Sequence, residues 1–241
     1  MVFVIRRDID MARLKSGCGA LVLVLVLCGI ATPASAEQNV NPSINDYYQG
    51  AEQKDWVGVF ESPGREVYAR RHDVVNALGL KPGMRVADIG AGTGFYTRLF
   101  AEQVGKKGKV YAVDIAPGFV AAMVKDARRQ GLGQVEGVVN NQTSVALPKT
   151  SIDLAFICDT YHHFEYPQTT LVSIRDALRP GGEMVIIDFR KVSGRSSNWV
   201  MGHVREGREG VIEEVTANGF ELVEDSRLLS VNYMLRFKRT D

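Results

Sequence analysis

Apolar residues along this chain change their period several times, and each change marks an element. Short runs rich in Val, Ile and Ala at 85–89, 109–113, 135–139, 152–158 and 183–188 predict strands. Between them, apolar residues recur every three to four positions over 95–104, 117–130, 168–178 and near 197–217, which predicts helices. Two more apolar runs, near 220–226 and 232–238, follow one another without an intervening helix and predict an antiparallel pair at one sheet edge. The alternation otherwise predicts an α/β fold, doubly wound, with a mainly parallel sheet covered on both faces. Ahead of it, residues 55–80 read as helical, with Val67, Val74, Val75 and Leu78 turned to a core. Pro63 stands near the start of that segment, and Gly79 and Pro82 end it. Residues 37–54 are polar, rich in Asn and Gln, and read as a loose lead-in. With no internal repeat or low-complexity tract, 81–241 is read as one domain and 37–80 as its lead-in and helical cap.

The first 36 residues differ in kind. Arg13 and Lys15 precede an apolar run at 20–31, and Ala34-Ser35-Ala36 offers small residues for cleavage before Glu37. That is the plan of a secretory signal peptide, with Met11 an alternative start that gives a tighter leader. Its apolar core of about a dozen residues is short of the ~20 a membrane span needs. The chain is therefore expected to be exported, periplasmic or secreted, with no stable span after cleavage; left uncleaved, the segment would anchor it to a membrane. Cleavage removes Cys18 and Cys28 and leaves only Cys158, so no internal disulfide is expected. Cys158 itself reads as a small buried residue at a strand end. Four basic and two acidic residues leave with the segment, moving the formal charge from +1 to −1. Without a basic excess, nucleic acid is not the expected partner, and a small-molecule substrate is. Nothing in the sequence bears on oligomeric state.

Chemistry concentrates where the first strand ends. Val86-Ala87-Asp88-Ile89 runs into Gly90-Ala91-Gly92-Thr93-Gly94, and a helix opens at Phe95. Glycine at alternate positions permits a tight turn and leaves no Cβ to hold a ligand off. A dinucleotide fingerprint requires G-x-G-x-x-G, but Phe95 holds the third glycine's place, so an NAD-dependent oxidoreductase is disfavoured. A P-loop needs Gly-Lys-Ser/Thr, which is also missing. The second strand delivers Asp114, a carboxylate able to accept both hydroxyls of a ribose. Asp88, before the loop, would repel phosphate and suits a cationic or zwitterionic group. One carboxylate for an amino-acid part and one for a ribose describe S-adenosylmethionine better than NAD.

These residues resemble the class I S-adenosylmethionine-dependent methyltransferases. The resemblance rests on Asp88-x-Gly90-x-Gly92-x-Gly94, Asp114 and Leu178-Arg179-Pro180-Gly181-Gly182, joined by Asp159-Thr160-Tyr161-His162-His163-Phe164 after the fourth strand. It covers roughly residues 55–240. It implies a seven-stranded Rossmann-like sheet with an antiparallel edge strand. It also implies S-adenosylmethionine as cofactor, held by Asp88, Gly90, Ala91, Gly92, Thr93, Gly94, Asp114, Asn141 and Asp159. Asn140 and Asn141 follow the third strand, where the family places a polar residue near the adenine, although the register here is open between them. Asn141-Gln142-Thr143 also matches a glycosylation sequon, read as chance beside a cofactor.

The implied reaction is methyl transfer to a small-molecule O- or N-nucleophile. The donor is already activated, so the protein's main task is alignment and exclusion of water. An oxygen acceptor calls for a base, and His162 or His163 is the candidate, the alternative being that both only line the pocket. No metal is expected, because adjacent histidines on one short loop lack a third ligand. Glu61 and Arg65 either contact cofactor or acceptor or form a solvated helix face. Trp199, His203 and Arg205 lie where this fold commonly builds its acceptor pocket. A signal peptide sits awkwardly with a cofactor made in the cytoplasm. The second reading is therefore an exported, non-catalytic binding protein for S-adenosylmethionine or a nucleoside on the same scaffold.

Overall fold

A computed structural model describes residues 36–241. The segment read as a signal peptide thus lies outside the described residues, save Ala36. Strand β1 (Arg85–Ile89) leads into helix α5 (Phe95–Val104), after four short helices α1 (Asp46–Gln49), α2 (Gln53–Phe60), α3 (Glu66–Ala69) and α4 (Arg71–Leu78). Then come β2 (Lys109–Asp114), α6 (Pro117–Arg129), β3 (Val135–Val139) and β4 (Ile152–Cys158). A 3₁₀ turn at Tyr161–His163 precedes α7 (Pro167–Ala177), β5 (Leu178–Phe189), α8 (Asn198–His203) and α9 (Arg208–Ala217). The chain closes with β6 (Phe220–Ser226) and β7 (Asn232–Arg239).

Among the described residues the strands form one seven-stranded sheet, ordered β3-β2-β1-β4-β5-β7-β6. Its first five strands are parallel, and β7 pairs antiparallel with both β5 and β6. The expected doubly wound sheet with an antiparallel pair at one edge is therefore present. The pair is inserted in reverse order, with the last strand lying inside the edge. β7 is buried along most of its length while β6 is mostly accessible, which fits the apolar Tyr233-Met234-Leu235 run against Glu221, Glu224 and Asp225.

Strand side chains alternate between two cores. Ala87, Ile89, Ala155 and Ile157 pack with α7 and α9, whereas Val86, Leu154 and Phe156 pack with α4 and α5. Burial on both faces explains why β1, β4 and β5 read as continuous apolar runs rather than as alternation. Each fully buried Leu, Ile or Phe here contributes ~1.5–3 kcal/mol by removal from water.

Three expectations are revised. The helix read over 55–80 is three pieces, broken after Phe60, where Pro63 and Gly64 intervene, and again at Arg70. The helix near 197–217 is two, α8 and α9, with 204–207 extended between them. Strand β5 begins at Leu178 rather than 183. Leu178 pairs with Ile152 and Glu183 with Leu154, so Arg179-Pro180-Gly181-Gly182 is looped out, with Gly181 at φ 74°.

Residues 37–54 are not loose. Val40 N–H donates to Glu165 O at 2.9 Å, and Asn45 Nδ2 donates to His163 O at 3.0 Å and to Glu165 Oε1 at 3.1 Å. The Asn-rich composition that reads as lead-in supplies the amides that fasten the segment to the 161–165 loop. No helix among the described residues is long and apolar enough to cross a membrane.

Candidate functional site

The glycine loop is held from beneath by its neighbours. Gly90 and Ala91 N–H groups donate to Val113 O at 2.8 and 3.0 Å, and Gly94 N–H donates to Ala91 O at 2.8 Å. Gly90, Gly92 and Gly94 lie at φ 71°, 56° and 76°, the left-handed region where a Cβ is strained. At Gly90 a Cβ would also stand 2.2 Å from the Thr160 methyl. At Gly92 it would meet the Phe60 ring at 3.1 Å. Asp114 ties loop and second strand together. One carboxylate oxygen accepts from Gly92 N–H at 2.8 Å, and the other accepts from Ala116 N–H at 2.9 Å. Burial raises its pKa against these two bonds.

Above this loop opens a cavity of about 120 Å³. Of the residues read as cofactor-binding, Gly90, Gly92, Asp114, Asn141 and Asp159 line it, and so does His163. Asn140 lines it as well. Asp88, Ala91, Thr93, Gly94 and His162 are not in its wall. Asp88 points into the fold instead, accepting from Thr97 Oγ1 at 2.6 Å, and burial pushes its pKa up to about 7. Gly94 begins α5 beneath Met123, and Thr93 carries a buried hydroxyl without a partner.

The far wall belongs to the loop after β4. Asp159, itself at φ 49°, accepts from Arg65 Nη2 at 2.6 Å and from Asn232 Nδ2 at 2.6 Å. Burial pushes its pKa up to about 6, with Arg65 opposing. Arg65 is thus a partner of a cavity carboxylate and not a cavity residue, and Glu61 accepts from Arg98 at 3.0 Å.

His162 is 3% exposed, and its Nδ1 lies 2.8 Å from Asp188 Oδ1. Burial lowers its proton affinity, but the Asp188 charge and hydrogen bond outweigh it and hold the pKa above the ordinary value. His163 faces the cavity, and burial followed by the nearby His162 and His203 pushes it down to about 2. One histidine is therefore committed to a carboxylate behind the wall, and burial holds the other toward the neutral imidazole.

Sequence reasoning expected the segment from Phe60 onward to fold over the site but missed the other aromatic residues of the cover, Tyr48, Trp56 and Phe119. Tyr48, Phe60 and Phe119 line the cavity, joined by Trp56 in an aromatic row with ring centroids 4.9, 5.0 and 6.4 Å apart. The only signal was aromatic residues recurring in a polar segment. Buried Glu165, 2% exposed, was missed too; it collects amides from Asn45 and Gln142. Of the residues placed after β5, Trp199 stacks on His203 at 4.5 Å, and His203 in turn stands by both loop histidines. Arg205 pairs with Glu214 at 2.6 Å, which also accepts from the Tyr161 hydroxyl.

The donor set suits a nucleoside carrying a cationic arm. It combines carboxylates at Asp114, Asp159 and Glu165, amides at 140–142 and aromatic faces, with no lysine in the wall among the described residues. Comparisons with known proteins agree. Residues 80–227 match the family described as "Methyltransferase domain". A relative from Hydrogenovibrio crunogenus, the ubiquinone/menaquinone biosynthesis C-methyltransferase UbiE, is 30% identical over 125 residues, 52% of this chain and 49% of its own. The chain thus spans about half the length of the curated relatives it matches. Among solved structures, a SAM-dependent methyltransferase from Aquifex aeolicus aligns with a TM-score of 0.65 at 25% identity, covering 70% of this chain and 89% of that one. The [4+2]-cyclase SpnF aligns at 0.61 with 18% identity over 72% and 81%, a likeness of fold.

Proposed function

Since the chain belongs to the methyltransferase-domain family, we propose that it transfers a methyl group from S-adenosylmethionine to a small-molecule acceptor. The observation that carries this is Asp114, at the cavity wall and locked to Gly92 and Ala116 N–H groups. A carboxylate accepts up to about four hydrogen bonds, so two places remain for a ribose diol. S-adenosylmethionine brings its methyl on a sulfonium and needs no further activation.

The chain's own work is to hold and to align. Gly90 and Gly92 leave room along the loop, Asn140 and Asn141 offer amides to a base, and Asp159 offers negative charge to the amino-acid arm. Tyr48, Phe60 and Phe119 close over the site and keep water out, where alignment is worth most. Asp88 supports the loop through Thr97 rather than by contact.

For the acceptor, the reading is an O- or N-nucleophile, and the C-methyltransferase relatives extend it to carbon. With His162 engaged by Asp188 and His163 neutral, an acceptor that arrives already nucleophilic suits the wall best. A near-neutral charge supports a small molecule over nucleic acid. Export through residues 1–36 belongs to the same reading. A processed chain in the envelope or medium would support it, and full-length cytosolic protein would overturn it.

Calorimetry with S-adenosylmethionine, S-adenosylhomocysteine and NAD, then label transfer into envelope and cytosolic extracts, tests the whole. Heat with the first two and a labelled product are expected. Tighter NAD binding sinks the reading. Binding without any labelled product favours the non-catalytic alternative.

A further inference from the structure

Beside the cavity, three imidazoles from two distant parts of the chain converge. His162 and His163 come from the 3₁₀ turn after β4, and His203 ends α8, forty residues on in sequence. Ring centroids stand 4.3 Å apart for the adjacent pair and 5.1 and 5.2 Å from each to His203. One ring nitrogen from each lies within 4.8 Å of the others. The sequence showed two histidines without a third ligand; the fold supplies the third.

Two details separate this cluster from histidines that merely pack. The first is Asp188, whose carboxylate takes His162 Nδ1 at 2.8 and 3.0 Å and His162 N–H at 3.1 Å. That fixes the ring and turns Nε2 away, the arrangement in which a carboxylate orients a metal-bound imidazole. The second is His163 Nδ1, buried with no hydrogen-bond partner among the described residues. A buried nitrogen left unpaired loses its hydration without compensation and calls for a partner. Aromatic rings enclose the cluster, with Phe189 against His162, Tyr48 against His163 and Trp199 stacked on His203.

We propose that His162, His163 and His203 bind one divalent transition-metal ion, with Asp188 positioning the first of them. Three neutral nitrogen donors suit zinc and its neighbours rather than magnesium or calcium, which want oxygen. Three protein ligands also leave a fourth position for water or a substrate atom, as in catalytic rather than structural zinc sites. Because His163 is shared with the cavity wall, that position is available to an oxygen of the acceptor; this last step alone rests on the methyl-transfer reading.

The test is a titration of the full chain, free of any histidine tag, with Co²⁺ followed by visible absorption, and then displacement by Zn²⁺. One equivalent bound, with bands in the visible and loss on adding Zn²⁺, is expected. His203→Gln, on a partly accessible helix, should weaken Co²⁺ binding at least 100-fold while leaving the far-ultraviolet dichroism unchanged. Asp188→Asn should weaken it about 10–100-fold. Absence of a visible band at one equivalent overturns the proposal, as does unchanged affinity in His203→Gln. Calorimetry with S-adenosylmethionine on the same metal-free protein reports the cofactor site separately, so either reading can fail without the other.

Discussion

Residues 90–94 keep their shape through partners on the adjacent strand, Val113 and Asp114. Residues 159–163, facing them across the same cavity, are held from far away. Arg65 reaches Asp159 over 94 positions, Asn232 over 73, and Asp188 takes His162 over 26. The first loop is dictated by backbone and needs little from its side chains. The second is dictated by side chains that only tertiary structure brings together. A motif can therefore announce one wall of a site and stay silent on the wall opposite.

The comparison breaks most sharply at Gly90. Gly90→Ala combines a left-handed φ with a Cβ 2.2 Å from Thr160, and should lower stability by about 3 kcal/mol or more in a denaturant melt. Adding Thr160→Ala should relieve the contacts with the Thr160 methyl and hydroxyl but leave its Cβ at 2.8 Å and the backbone strain, so only part of the loss returns. Full recovery would show that the backbone does not dictate this loop.

Next in size is Asp114→Ala, expected to weaken S-adenosylmethionine binding by about 1–3 kcal/mol, or ~10–100-fold in Kd. Unchanged affinity in calorimetry would remove Asp114 from the cofactor's partners.

The two buried carboxylates offer a finer test by pH. Asp88 has a folded pKa of about 7, above its ordinary value, so its contribution is full in acid and is lost as pH rises from about 4 through 7. Asp88→Asn should flatten that slope and gain on the order of 1 kcal/mol over the parent at pH 8. A parallel slope in both proteins would place the titration elsewhere.

The smallest effect is expected at Arg65. Asp159 titrates near 6 with Arg65 beside it, and removing the cation raises that value further. Arg65→Met should therefore match the parent below pH 6 and fall about 1 kcal/mol behind at pH 8, a modest figure because Arg65 is 27% exposed. A loss equal at both pH values would mean packing, not charge, holds that pair.

Legibility in the sequence follows the same division. The strands and long helices were readable because β1, β4 and β5 bury both faces and α5 to α7 one stripe. The glycine loop and Asp114 were readable because their spacing is their mechanism. Asp88 misled, since a carboxylate at a strand end has two sides to face, and Thr97 draws it inward. Tyr48 and Glu165 gave no local sign, and His203 was marked only by its place after β5, because each acquires its role by docking on the loop after β4. The break of the first helical segment at Phe60 is what lays that ring over Gly92, and period alone does not report where a helix turns.

The double hold on Asp159 also has a consequence in time. A chain is made from its amino end, so the glycine loop and β2 can assemble while everything after them is still unmade. Asn232 comes 73 positions after Asp159, and until it is present the carboxylate lacks one of its two partners. Contacts so distant in sequence are also the slow ones in refolding from the full chain. The molecule therefore gains the glycine-loop wall early and the wall of the 159–163 loop last.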